Sequence, residues 1–151
     1  MKGPFSMMHV RALCHATEKL ESVKQTVLNV IGEAELQVSH TSGHHGNEIL
    51  IVEARVEDAQ RGLELFHKLS DSDKEMVLNT LEKRVDESCN LFLRVDKQAA
   101  FRGKMTLAQN DDAIAVRMKV TAYPAKKEIV VRMLRDMLEN AEERRTRAPA
   151  P

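Results

Sequence analysis

The chain has few aromatic residues, few cysteines and no long apolar run. Four Phe, one Tyr and no Trp occur among its 151 residues, so aliphatic side chains must fill most of the core. Its two cysteines, Cys14 and Cys89, are too few for a disulfide framework. We expect two reduced, buried thiols in a cytoplasmic protein, with a Cys14–Cys89 disulfide as the alternative. No run approaches the roughly 18 apolar residues of a membrane span and no signal-peptide pattern opens the chain, so we expect no membrane association.

The chain also has no net charge, but its positive and negative residues are concentrated in different parts of the sequence. The sequence has 23 Lys and Arg and 23 Asp and Glu. Residues 94–135 contain ten bases and four acids, whereas residues 32–90 contain six bases and thirteen acids. A basic block of this kind is the electrostatic footprint expected of a protein that binds phosphate groups.

Length and composition indicate one folded domain. A hydrophobic content of 42% and a charged content of 30% are typical of globular proteins. We expect the domain to occupy residues 8–140. Residues 1–7 read as a flexible leader, and residues 141–151 as a frayed end that is first charged and then rich in Pro and Ala.

The spacing of apolar residues predicts an α+β fold with the approximate order β-α-β-β-α-α-β-β-β-α. Strands are expected at residues 8–15, 36–39, 48–56, 91–95, 104–108 and 113–122. Helices are expected at residues 18–31, 58–69, 73–86 and 124–139. Thr17, and Ser72 with Glu75, are the expected N-terminal caps, and Gly32 the expected stop. Paired strands favour a two-layer sandwich, a largely antiparallel sheet with helices on one face and solvent or a partner on the other.

A basic strand face is the strongest functional signal. Lys104 and Thr106 on one predicted strand, and Arg117, Lys119 and Thr121 on the next, would share one face of a hairpin. Side chains on paired strands lie about 5 Å apart, so like charges there favour an anionic partner. The alternative is a solvated face whose lysines protect a sheet edge.

Further residues extend this basic surface. Lys126 and Lys127 adjoin a predicted helix start, where free N–H groups favour anions. Together with Lys97 and Arg102, they could converge on a phosphate backbone. Gln98 offers a donor and an acceptor to a base, and Phe101 offers a ring for stacking, unless it plugs the core. The expected contacts with a nucleic acid are Lys97, Gln98, Phe101, Arg102, Lys104, Arg117, Lys119, Lys126 and Lys127.

Metal binding and catalysis find little support in the sequence. His40, His44 and His45 lack the nearby cysteines or carboxylates that would complete a zinc site, so we expect a solvated loop and no metal. Nucleophile-elbow, P-loop and dinucleotide-binding motifs are missing. Asp111 and Asp112 sit in a predicted turn. A metal-dependent nuclease using them is the enzymatic alternative to a protein without catalysis or cofactor.

The segments NLFLRVDKQAAFRGKMTL and DDAIAVRMKVTAYPAKKEI resemble a known family. It is the family of small archaeal proteins described as predicted RNA-binding, exosome-associated subunits, whose fold is related to the ribosomal protein that holds 5S ribosomal RNA. The similarity spans residues 8–138 and is sharpest at Asp96, Lys97, Gln98, Ala99, Gly103 and the run Ala122–Glu128. The family has no established catalytic residues to transfer. The resemblance therefore implies a related fold and binding to RNA.

Together, these observations predict a cytoplasmic, archaeal, non-catalytic RNA-binding protein. Its RNA would be structured, or on its way to processing or ribosome assembly, and it could belong to an RNA-processing complex. The alternative is a protein–protein adaptor, or a subunit that self-associates as a homodimer through the basic surface of residues 94–135.

Overall fold

A computed structural model of the protein describes residues 5–42 and 48–147. Within these ranges the chain forms five strands and six helices. The strands are β1 (Phe5–Cys14), β2 (Leu36–Ser42), β3 (Glu48–Val56), β4 (Asn90–Asp96) and β5 (Ala113–Val120). The helices are α1 (Leu20–Ile31), α2 (Arg61–Lys68), α3 (Asp71–Asn79), α4 (Leu81–Arg84), α5 (Lys97–Phe101) and α6 (Lys127–Arg147).

The five strands form one antiparallel sheet in the order β2-β3-β1-β5-β4. β3 lies between β1 and β2, and α1 connects those two strands, so the first half of the chain is a split β-α-β unit. β1 is central, with β3 on one side and β5 on the other. The predicted α+β sandwich with a largely antiparallel sheet is confirmed.

One face of the sheet and the apolar sides of the helices form the core. The alternation predicted for the last strand is observed, because Ile114, Val116, Met118 and Val120 are each at most 2% exposed. α1 packs on β1 and β3, and α4 packs on β4. The helical side of the core contains Val23, Val27, Val30 and Ile31 of α1 and Val130, Val131, Leu134 and Leu138 of α6. The described residues contain no helix long and apolar enough to cross a membrane.

The strand predicted at residues 104–108 is wrong. β4 pairs directly with β5, so the expected hairpin between residues 104–108 and 113–122 does not form. The segment lies along the outer edge of β4, where the Asp96 N–H donates to the Thr106 carbonyl at 2.8 Å and a single bridge joins Val95 to Leu107. The cause is local. The Asp96 side chain accepts the Ala99 N–H at 2.8 Å and starts α5, which turns the chain back along the outer edge of β4 and not along β5.

Gly32 ends α1 as predicted, in the left-handed region (φ 88°), with its N–H bonded to the Leu28 carbonyl at 2.7 Å. Thr17 does not cap that helix, which begins three residues later, at Leu20, with Lys19 at the N-cap. Ser70, and not Ser72, caps α3, because its Oγ accepts the Asp73 N–H at 3.2 Å.

Several other helix boundaries differ from prediction, since the helix expected at residues 58–69 spans Arg61–Lys68 and the last helix ends at Arg147. The helix expected at residues 73–86 breaks at Thr80, whose hydroxyl donates to the Met76 carbonyl at 2.6 Å, and a separate short helix follows. A hydroxyl that bonds back in this way competes with continuation of the helix. The last helix begins at Lys127 and not at Pro124, and the Tyr123–Pro124 peptide bond is cis.

Cys14 and Cys89 are both buried and free, as predicted. Burial raises the pKa of the Cys14 thiol, and the nearby Glu18 carboxylate raises it further, although the Lys97 charge opposes both effects. Neither thiol is placed for reaction with solvent, because the reactive form is the exposed thiolate.

Candidate nucleic-acid interface

The second face of the sheet points away from the core, and we call it the open face. It comprises the outward side chains of all five strands, which alternate with the buried ones along each strand. The following residues define it: Met7, His9, Arg11 and Leu13 of β1; Gln37, Ser39 and Thr41 of β2; Ile49, Ile51, Glu53 and Arg55 of β3; Asn90, Phe92, Arg94 and Asp96 of β4; and Ala113, Ala115, Arg117 and Lys119 of β5.

Positive charge dominates the open face. Four neighbouring strands contribute its five Lys and Arg residues: Arg11, Arg55, Arg94, Arg117 and Lys119. At the open-face positions defined above the acids are Glu53 and Asp96. The Asp96 side chain caps α5, and the Glu53 Oε2 lies 3.0 Å from the His9 Nε2. The basic groups therefore outnumber the acids at these positions, and Arg55 has a further partner in the exposed Glu57 carboxylate at 3.4 Å.

An aromatic ring and three basic or imidazole side chains form a continuous row across the open face. Phe92 pairs with Arg117, Arg117 with His9, and His9 with Arg55. Because adjacent strands are about 4.8 Å apart, this row spans roughly 14 Å. Phe92 is 42% exposed, so its ring is accessible beside the Arg117 guanidinium. The arrangement offers both a cation for phosphate and a surface for a base.

Lys119 lies at one end of the open face and is held in place. Its ammonium donates to the Ser88 carbonyl, in the turn that precedes β4. Asp86 shapes that turn by accepting the N–H groups of Ser88 and Asn90 at 3.0 and 2.9 Å. Desolvation alone would raise the pKa of Asp86, but these hydrogen bonds and the Lys119 charge lower it. The carboxylate therefore stays ionised and keeps the turn closed.

Arg117 and Lys119 are the two predicted contacts that the structure places on the open face. Gln98, Phe101, Arg102 and Lys104 are exposed on or just after α5, beside the helical layer. Phe101 is 49% exposed and does not plug the core. The Asn29 amide of α1 donates to the Ala100 carbonyl at 3.0 Å and fixes α5 in this position.

Lys126 and Lys127 lie at the opposite end of the sheet from α5. They follow the last residue of β5, whereas α5 and Arg102 lie near its first residue. The eight residues of β5 separate the two ends by roughly 23 Å. The predicted convergence of Lys97, Arg102, Lys126 and Lys127 on one stretch of phosphates is therefore not formed.

Lys97 is buried, with 3% of its surface exposed. Its ammonium donates to the Leu13 carbonyl at 2.6 Å, to Glu18 Oε1 at 2.8 Å and to Asp112 Oδ1 at 3.3 Å. An ammonium with three protein partners and almost no exposure has no donor left for RNA. This position argues against the phosphate contact predicted for Lys97 and indicates a structural role.

Glu18 shows the electrostatic effect of this cluster. Partial burial alone would raise the pKa of Glu18, but the hydrogen bond from Lys97, the His15 N–H and the Lys97 charge together lower it. Ligand atoms of His15, Glu18 and Asp112 lie within 4.8 Å of one another, close enough for a metal ion. The Lys97 ammonium already forms ion pairs with the Glu18 and Asp112 carboxylates, so it occupies the place that a metal cation would take. The same engagement makes Asp112 a poor metal ligand for the alternative nuclease.

The histidine loop is only partly described. His40 is exposed and its ring bonds the Glu48 carboxylate across the β2–β3 pair. His44 and His45 lie outside the described residues. The prediction of a solvated loop stays a prediction.

Sequence reasoning missed three main residues of the open face: Arg11, Arg55 and Phe92. Arg11 and Arg55 lie outside the basic segment 94–135, and only the strand order brings them beside Arg117. Their outward position follows from strand parity, because Arg11 lies between the buried Val10 and Ala12 and Arg55 follows the buried Ala54. Phe92 lies within the strand predicted at residues 91–95, but its exposure depends on this face of the sheet being uncovered, which the local sequence does not show.

The fold and this surface define a class: a two-layer α+β protein with a basic open sheet that carries an exposed aromatic ring. Comparison with known proteins gives the family. A family described as RNA binding matches residues 8–120. The RNA-binding protein PAB1135 of Pyrococcus abyssi is 33% identical over 142 residues, covering 87% of this chain and 92% of the relative. The structure of Mth689, a DUF54 protein from Methanothermobacter thermautotrophicus, is 33% identical with a TM-score of 0.76, covering 89% of this chain and 98% of that one.

A third relative is the uncharacterized protein MJ0213 of Methanocaldococcus jannaschii. It is 30% identical over 115 residues, covering 68% of this chain and 76% of the relative. The chain belongs to the RNA-binding family.

Proposed function

We propose that this protein binds RNA through the open face and has no catalysis of its own. The observation that carries the proposal is the set of five Lys and Arg side chains that four adjacent strands present on one uncovered surface. Salt-dependent contact with phosphates supplies much of the affinity of such surfaces. Membership of the RNA-binding family supports RNA as the polyanion.

The remaining predicted contacts have a secondary place in this proposal. Lys126 and Lys127 beyond one end of β5, and Arg102 and Lys104 beyond the other, can extend the path of a long RNA past the open face. Gln98 is exposed on α5 and can contact RNA only along that extension. A role in RNA processing with the exosome, or in ribosome assembly in the cytoplasm, rests on the family resemblance alone.

Charge-matched variants test the open face directly. The pair Arg94→Gln, Arg117→Gln removes two cations from it. The pair Arg132→Gln, Arg135→Gln removes two exposed cations from the same basic segment, but from α6 in the helical layer. We expect the first pair to reduce affinity for a labelled RNA pool and to lower the slope of log K against log salt by about 1.4. The second pair should leave both quantities unchanged.

Two results would count against the proposal. Equal effects of the two variant pairs would mean that net charge, and not the open face, drives binding. Absence of RNA binding by the wild-type protein at low salt would assign the basic surface to a protein partner or a second copy. Sedimentation at low and high salt would then distinguish a charge-driven homodimer, which dissociates as salt rises.

A further inference from the structure

The chain exposes most of its few aromatic rings. Of its four Phe and one Tyr, Phe5 and Phe66 are buried, whereas Phe92, Phe101 and Tyr123 are 42%, 49% and 90% exposed. Aromatic rings contribute large apolar areas to a core, and this core is otherwise built from aliphatic side chains. Rings left in solvent beside Lys and Arg side chains indicate surfaces that stack on a ligand.

Phe92 occupies the part of the open face where stacking and charge combine. Arg117 is its cross-strand partner, and Arg94 follows two residues along the same strand and face. The Arg94 guanidinium also reaches the Asp111 carbonyl at 3.2 Å, which holds it near the surface of the sheet. A base lying flat on Phe92 would therefore have a guanidinium on two sides, available for its flanking phosphates.

Tyr123 borders a second site that adjoins the first. A shallow cavity of about 440 Å³ lies between the turn before β4 and the end of β5, with Glu87, Ser88, Lys119, Thr121 and Tyr123 in its lining. This volume is in the range of about 300–1,000 Å³ found for small-molecule sites. Lys119 belongs to both the cavity and the open face. The Glu87 carboxylate disfavours a phosphate inside the cavity, whereas the hydroxyl groups suit the polar edge of a base.

We infer that the RNA bound by this protein is single-stranded, and that two separate bases of one strand stack on Phe92 and Tyr123 while Arg117 and Lys119 contact phosphates of the stretch between them. The inference rests on the proposed function. In a duplex the faces of the bases are covered by their neighbours, and double-stranded RNA is recognised by its shape and its 2′-hydroxyl and phosphate groups. Exposed rings contribute to binding only when bases are unpaired.

The experiment compares one RNA oligonucleotide in its single-stranded form and annealed to its complement. Wild-type protein should bind the single strand more tightly. Phe92→Leu and Tyr123→Leu should each weaken single-strand binding roughly 5- to 150-fold, the equivalent of one lost stacking contact, with the salt slope unchanged because no phosphate contact is lost. Met76→Ala is the control, since Met76 is an apolar side chain that is 51% exposed on α3 in the helical layer, and it should bind like wild type.

A spectroscopic variant reports stacking itself. The chain has no Trp, so Phe92→Trp places a single indole on the open face, and its fluorescence should be quenched by the single strand and not by the duplex. Equal binding of duplex and single strand, or unchanged affinity of the Phe92→Leu and Tyr123→Leu variants, would overturn the inference and leave RNA binding intact. Failure of wild-type protein to bind either form would instead refute the proposed function.

Discussion

Replacing the buried Lys97 with methionine tests the ion cluster that it forms with Glu18 and Asp112. The ammonium joins three separate parts of the chain: the end of β1 at Leu13, the segment before α1 at Glu18 and the turn before β5 at Asp112. Lys97→Met keeps a long unbranched side chain of similar size, so the change removes the charge and its donors with little loss of packing.

The expected loss of stability follows from the three contacts. A hydrogen bond involving a charged group contributes about 1.5–3 kcal/mol, and the bonds to Leu13 and Glu18 are both short. The bond to Asp112 is longer and its carboxylate is half exposed, so it adds little. Removing the ammonium also removes its desolvation cost, which offsets part of the loss. We expect the free energy of unfolding to fall by about 2–4 kcal/mol.

In urea unfolding, this change appears as a lower urea concentration at the midpoint. The slope of the free energy of unfolding against urea concentration should be unchanged. Lys104→Met is the control, because Lys104 is exposed and substitutions of that kind stay within about 0.5 kcal/mol of wild type. A Lys97→Met variant as stable as the control would refute the assignment of a structural role. In that case the ion cluster would contribute no more than an exposed salt bridge.

The cluster also predicts a pH dependence. The folded pKa of Glu18 lies below its ordinary value of 4.5, so its contribution to stability is complete above about pH 4.5 and is lost as the pH falls through the folded pKa. Without Lys97, its hydrogen bond and its charge no longer lower the pKa of Glu18 and only the His15 contribution remains, so the loss of stability on acidification should shrink. Parallel acid-unfolding curves for wild type and Lys97→Met would contradict this expectation.

Three further predictions concern stability and use the same urea assay. Ser70→Ala should lower the free energy of unfolding by about 1 kcal/mol because it removes the N-terminal cap of α3, and Ser72→Ala should lower it less. A larger loss for Ser72→Ala would show that Ser72 is the cap, as the sequence predicted. Gly62→Ala should cost about 1–3 kcal/mol or more, since a Cβ would lie 2.6 Å from a ring carbon of the buried Phe5, and wild-type stability would show that this contact relaxes easily. Gly103→Ala places its Cβ in open space and should cost only about 1–2 kcal/mol for its positive φ of 82°.

The parts of the fold that the sequence predicted are those with a strong, local period. β5 alternates one buried and one outward residue over its whole length, so both its existence and its basic outer positions could be predicted. Residues 104–108 also alternate, and Met105 is indeed buried. The sequence predicted the alternation of this segment correctly but paired the segment with residues 113–122, whereas it lies along β4. An alternating pattern does not specify which strand edge a segment will meet.

The Lys97 cluster could not be predicted from local sequence. A lysine followed by Gln98 and preceded by Asp96 resembles an exposed turn, and composition alone favours that interpretation. Its burial depends on Leu13 and Glu18, which are about eighty residues away in sequence. For the same reason the sequence did not assign Arg11 and Arg55 to the binding surface. The basic segment consists of neighbours along the chain, whereas the open face consists of neighbours across strands.

A last prediction tests whether RNA binds to the open face as a whole or only to residues 94–135. Arg11→Gln, Arg55→Gln removes two exposed cations that lie outside residues 94–135 but on the open face, where Arg55 is the fourth member of the row that begins at Phe92. If the surface is the binding site, this pair should weaken RNA binding and lower the salt slope by about 1.4, as expected for two phosphate contacts to a single strand. Lys68→Gln, Lys83→Gln is the control, since both lysines are exposed on helices outside the segment. Wild-type binding by the Arg11, Arg55 pair would confine the site to β4 and β5, and the segment would then be the better description of where RNA binds.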